Sequence, residues 1–177
     1  FWQFIFIFCS LTSMVIGSIG ALYQQKIKRL MAYSGIANVG FLLMGLALGS
    51  IESILGLTIF MVIYIITTIS FFSFILGNQT IKNTKLNTYL SDLTNLGKVN
   101  PVLAFSLTLI MFSMVGLPPL AGFFGKMYLF LAAIQAEFYS LAIIGILSSV
   151  VAAFYYIRII KIMFFETSAR YTVYKEM

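Results

Sequence analysis

One lysine, Lys126, stands inside an apolar stretch running from about Val102 to Gln135, a short way past the segment Gly116-Leu117-Pro118-Pro119-Leu120-Ala121-Gly122. An unpaired ammonium near the centre of a bilayer costs about 2.5 to 3.5 kcal/mol on insertion scales, so the group needs a partner or a task. The ordinary partner is a carboxylate, yet all five acidic residues, Glu52, Asp92, Glu137, Glu166 and Glu176, fall in expected loops or in the tail. Burial disfavours the ammonium form, and so does the positive N-terminal end of a helix. A lysine so placed can load and release a proton. The competing reading is snorkelling, in which the amine reaches the headgroups.

The break decides what positions Lys126. A straight helix over residues 102–135 would be about 50 Å long, well beyond a hydrocarbon core of about 30 Å. Pro118 and Pro119 remove two backbone donors, and Gly116 and Gly122 permit unusual dihedrals. Non-helical backbone at membrane depth survives where it is buried in protein or lines water. The sequence therefore predicts a span broken at Gly116–Gly122, with hydrated carbonyls near Lys126 that argue against snorkelling.

Other polar residues sit at helical spacing. Tyr64 and Thr68 share one face with Thr67 and Ser70 adjacent, and Ser34 and Asn38 do the same on an earlier span. Each group could hold a file of water or serve as a helix-packing contact. Ser148 and Ser149 read as packing, and Arg158 and Lys161, at the end of the last span, read as snorkelling.

The chain is 61% apolar and 9% charged, with mean hydropathy +1.03, which excludes a water-covered globule. The expected fold is an all-α integral membrane domain over 1–177. Its spans are at about 1–23, 30–48, 53–76, 102–135 and 138–165. A loop at 77–100 and a tail at 166–177 lie on the inside.

The net charge of +6 falls in clusters between the spans and reads as a topology signal rather than a nucleic-acid footprint. Basic turns (Lys26, Lys28, Arg29; Lys82, Lys85, Lys98; Lys161, Arg170, Lys175) alternate with turns holding only Glu52 or Glu137, so the N-terminus is expected outside and the C-terminus inside. Within the inside loop, Tyr89–Leu96 reads as a surface amphipathic helix or as a solvated connector. One cysteine and no histidine leave no expected disulfide, transition-metal or haem site. The opening Phe1-Trp2-Gln3-Phe4 lacks the basic start of a signal peptide and suggests a beginning inside a longer protein.

Three stretches carry a family resemblance: Lys26-Ile27-Lys28-Arg29-Leu30-Met31-Ala32-Tyr33-Ser34, then Asn38-Val39-Gly40-Phe41, then Gly116 through Lys126. Together they resemble the antiporter-like proton-pumping subunits of NADH dehydrogenase (complex I), and most nearly its mitochondrial subunit 2 family. The stretch Tyr155 to Glu166 is similar to the mitochondrial members, and the resemblance covers essentially the whole chain.

It implies a fold of two inverted five-helix repeats, of which these spans are the second. The first repeat, with the family's glutamate and further lysines, would come from another chain or segment. Lys126 would then be the lysine of the broken helix that passes protons towards the outer side. Related subunits place His and Lys where this chain has Tyr64 and Thr68, and many place His at Asn38, so the central axis here would rely on hydroxyls and water.

The implied function is proton translocation within a mitochondrial inner-membrane NADH:ubiquinone oxidoreductase, with the N-terminus in the intermembrane space and the C-terminus in the matrix. No redox cofactor is expected in this chain. NADH, flavin, iron-sulfur clusters and ubiquinone would belong to other subunits, and the expected partners are the other membrane subunits and lipids, with no nucleic acid. The rival readings are a subunit of a multi-subunit sodium/proton antiporter and a membrane scaffold.

Overall fold

The computed structural model describes residues 2–77 and 89–166. Its elements are α1 (Trp2–Leu22), α2 (Ile27–Leu48), α3 (Ile51–Gly77), a 3-10 turn (Leu90–Leu93), α4 (Leu96–Val99), α5 (Pro101–Val115), α6 (Ala121–Gln135) and α7 (Tyr139–Phe165). Among the described residues there is no strand, only an isolated bridge between Lys26 and Tyr89.

Helices dominate because the apolar runs are long and every backbone polar group inside a bilayer must find its partner within its own segment. Four helices, α1, α2, α3 and α7, are long and apolar enough to cross a membrane. The expected fourth span is two helices of 15 residues each, α5 and α6. At about 22 Å apiece neither crosses a hydrocarbon core alone, so together they make one broken crossing.

The start of the second span moves. Helix α2 begins at Ile27, so Lys28 and Arg29 lie in its first turn and only Lys26 remains in the connector. Residues 78–88 of the expected inside loop and 167–177 of the expected tail lie outside the described residues.

The surface-helix reading of Tyr89–Leu96 is corrected. Asn95 adopts a left-handed φ of 65°, which ends the 3-10 turn before α4 begins. Leu90, Leu93 and Leu96 are 4%, 1% and 0% exposed and pack in one core with Leu30, Phe71, Leu107 and Ile159. Spacing by three residues aligns Leu90 and Leu93 on one side of the 3-10 turn, Leu96 joins them from the start of α4, and the three plug the end of the bundle. The Leu90 amide donates to the Gln25 carbonyl at 3.0 Å, fixing this plug to the α1–α2 connector.

The core has two parts. One, near the basic end, holds Leu30, Phe71, Leu107, Met111, Tyr155, Tyr156 and Ile159. The other holds Met14, Phe41, Met44, Phe60, Leu129 and Leu141. Outward faces stay apolar, as at Phe4, Phe8, Ile51, Val62 and Ile69, all more than 50% exposed. Such faces suit lipid or neighbouring helices rather than water.

Candidate functional site: a lysine on a broken helix

Helix α5 stops at Gly116, whose φ of 88° is left-handed and open to glycine at no steric cost. The Gly116 amide donates to the Phe112 and Ser113 carbonyls at 3.1 and 3.2 Å, and the Leu117 amide donates to Phe112 at 3.2 Å. This capping turn satisfies two of the last carbonyls of α5. It leaves those of Met114 and Val115. In an unbroken α-helix their donors would be the amides of residues 118 and 119, four positions on. Both residues are proline and have no amide hydrogen; the peptide between them is cis.

Lys126 supplies what the prolines withhold. From the second turn of α6 its Nζ donates to the Met114 carbonyl at 3.0 Å and to the Val115 carbonyl at 2.9 Å. The same nitrogen lies 5.2 Å from the centre of the Phe41 ring, within cation–π range. With the residue only 5% exposed, the amine turns inward onto carbonyls rather than outward to headgroups. Among the described residues no carboxylate pairs with it; the ion pair found is the exposed contact of Lys161 with Glu166 at 3.8 Å.

Gly122 makes the approach of α6 to α5 possible, because a Cβ there would sit 1.8 Å from the Ser113 carbonyl oxygen. A cavity of about 230 Å³ opens beside the amine, lined by Val115, Gly116, Phe123, Lys126, Phe130 and Ser149 among others. Its walls are mostly apolar, so Lys126 is the charged group facing it.

The expected water-path residues divide. Ser34 is buried and its hydroxyl is hydrogen-bonded to that of Tyr156 on α7. Tyr64 stacks on Phe60 at 6.3 Å, and its hydroxyl lies 3.3 Å from where a Cβ on Gly35 would be, beside Ser34. Thr67 turns back onto its own helix, donating to Ile63 and Tyr64 carbonyls, which is a packing arrangement. The Thr68 hydroxyl is buried with no hydrogen-bond partner among the described residues, and Asn38 is 6% exposed. From Tyr64 the contacts run through Phe60 to Phe41, 6.0 Å apart, and then to Lys126. The link between the hydroxyl group and the lysine is thus aromatic, not hydrogen-bonded.

Tyr155 and Tyr156, with ring centres 4.6 Å apart, belong to this hydroxyl group and were not among the expected site residues. The available signal was two adjacent tyrosines in an apolar span, since a buried phenol needs a partner. Replacing Tyr156 with Phe is expected to leave the Ser34 hydroxyl short of that bond and to lower bundle stability by about 0.6 to 2 kcal/mol, read as a fall in thermal unfolding temperature. Arg158 is exposed and donates from Nη1 to the Leu22 carbonyl at 3.3 Å, at the end of α1, a contact compatible with the snorkelling reading.

The family model for the NADH:quinone oxidoreductase/Mrp antiporter transmembrane region matches residues 1–152. NADH-ubiquinone oxidoreductase chain 2 of Marchantia polymorpha is 46% identical over 176 residues, covering 99% of this chain and 35% of that protein. NADH-quinone oxidoreductase subunit N of Parvibaculum lavamentivorans is 48% identical over 168 residues, covering 95% and 34%. Among solved structures, a chain of respiratory complex I from Thermus thermophilus with bound aureothin superposes with TM-score 0.77 at 28% identity, covering 92% of this chain and 36% of that one. The chain therefore spans about a third of the length of the curated relatives it matches.

Proposed function

From the premise that this chain belongs to the transmembrane family shared by NADH:quinone oxidoreductases and Mrp antiporters, we propose that it is a proton-translocating subunit of an NADH:ubiquinone oxidoreductase, with Lys126 as its proton carrier. The observation that carries this reading is the ammonium of a buried lysine held by two carbonyls at a helix break, with no carboxylate beside it among the described residues. Hydrogen bonds from a charged donor are about twice as strong as neutral ones, so the carbonyl pair grips the protonated form harder than the neutral amine. A charge that changes on a neighbouring chain can then decide whether the proton stays.

The chain's part is to hold, isolate and release that proton. Phe41 and Phe60 keep the hydroxyl group of Ser34, Tyr64 and Tyr156 apart from Lys126, and the cavity beside Val115 and Gly116 offers a way out. The NADH, flavin, iron-sulfur and ubiquinone chemistry belongs to other subunits in this reading, and the first repeat comes from a further chain or segment. The basic end, with Lys26, Lys28, Arg29 and Lys98, faces the mitochondrial matrix by the positive-inside rule, and the end with Glu52 and Glu137 faces the intermembrane space.

The rival within the same family is a sodium/proton antiporter. The names of the relatives at 46% and 48% identity favour the oxidoreductase. Membrane vesicles containing the chain are expected to build a proton gradient on addition of NADH and quinone without sodium. Sodium-driven proton exchange in the absence of NADH would transfer the chain to the antiporter class. Mass identification of co-purifying chains is expected to find one that supplies the first repeat.

A further inference from the structure

The break between α5 and α6 has the parts of a cation site that the chain fills from within. Two carbonyls, of Met114 and Val115, converge on one nitrogen at 3.0 and 2.9 Å. They are available because the residues four positions on, Pro118 and Pro119, have no amide hydrogen to give them. They also lie in the last turn of a helix of 15 residues, where the backbone dipole presents its negative end. The face of Phe41 closes a third side at 5.2 Å. Every one of these features favours a cation, and none is part of the Lys126 side chain.

We propose that the Met114 and Val115 carbonyls form a binding site for a primary ammonium cation, with Pro118 and Pro119 as positioning residues and Lys126 as the tethered occupant. The chemistry selects ammonium over an alkali ion. Two carbonyls and an aromatic face match an N–H donor of low charge density, whereas sodium needs its hydration shell replaced by a ring of oxygens. The adjoining cavity of about 230 Å³ gives a free alkylammonium room to enter once the side chain is shortened. Its consequence for transport rests on the reading of Lys126 as the proton carrier; the binding itself does not.

The test uses the assembled membrane complex carrying Lys126→Ala, with Lys126→Ser as a second short variant, and radiolabelled ethylammonium as the probe. The variants are expected to show a saturable site that the wild type lacks, displaced by methylammonium but not by tetramethylammonium, which has no N–H to donate. Adding Pro118→Ala and Pro119→Ala in the same background restores two amide donors. This is expected to weaken ethylammonium binding about tenfold, equivalent to about 1.4 kcal/mol.

In vesicles the amine is expected to raise the NADH-driven membrane potential of Lys126→Ala part of the way towards the wild-type value, and only at concentrations that fill the site. Potential is the readout because permeant amines collapse a pH gradient. No saturable binding in either short variant overturns the proposal, as does equal displacement by tetramethylammonium or by sodium. A wild-type proton-to-electron ratio in Lys126→Ala would instead overturn the transport reading, and the binding measurement would still decide the site.

Discussion

Complexes carrying Lys126→Met are expected to assemble and oxidise NADH while moving fewer protons per electron than the wild type. Methionine keeps most of the length and volume of the side chain but donates nothing. The Met114 and Val115 carbonyls each lose a partner, at about 1 to 3 kcal/mol apiece. Against this stands the removal of a buried charge whose insertion alone costs about 2.5 to 3.5 kcal/mol. The two effects are of similar size, so folding survives and transport does not. Measured proton-to-electron stoichiometry decides it, and a wild-type ratio in the Met variant sinks the assignment of Lys126 as carrier.

The companion variant Lys126→Arg separates two explanations of that loss. A guanidinium can donate to the same carbonyls but does not give up its proton in a protein. If Lys126 only supplied a fixed positive charge, arginine would restore the stoichiometry. Under proton exchange it does not, although the complex assembles.

Much of this site was legible in the chain because its signals are local. A span too long for the bilayer, two prolines within it and glycines on either side require a break, and a lysine just beyond must lie deep. The partner of that lysine was legible only in part. The sequence pointed to carbonyls near the break and to the absence of a carboxylate partner, but which carbonyls accept depends on how α6 folds back against α5, a contact made through Gly122 and Ser113. The hydroxyl group was harder to read. Ser34 and Tyr156 are 122 positions apart, and only the packing of α2 against α7 joins them.

The segment from Tyr89 to Leu96 misled for a different reason. Tyr89–Leu96 has an amphipathic pattern, and such a pattern reads as a surface helix when nothing says what covers it. Here the covering is the end of the bundle, where Leu90, Leu93 and Leu96 meet α2, α5 and α7 residues. A left-handed Asn95 interrupts the helix that periodicity alone would continue.

Gly122→Ala is expected to have the second large effect, and a structural one. The new Cβ would lie 1.8 Å from the Ser113 carbonyl oxygen and 2.8 Å from its carbon. The oxygen distance is about 1.5 Å or more short of van der Waals contact, and the obstacle is helix backbone rather than a flexible side chain. Relief requires the end of α5 to part from the start of α6, which carries the Met114 and Val115 carbonyls away from Lys126. The amine would then be buried without its acceptors, the costliest state open to it. Complex abundance on native gels and the unfolding temperature are both expected to fall sharply. Gly49→Ala is the control: it has nothing within 4 Å of the added carbon but a φ of 64°. Left-handed strain costs about 1 to 2 kcal/mol, so this variant is expected to assemble with a small shift. If Gly122→Ala instead assembled at the wild-type temperature, the close approach of the two half-helices would not be the arrangement that holds the lysine.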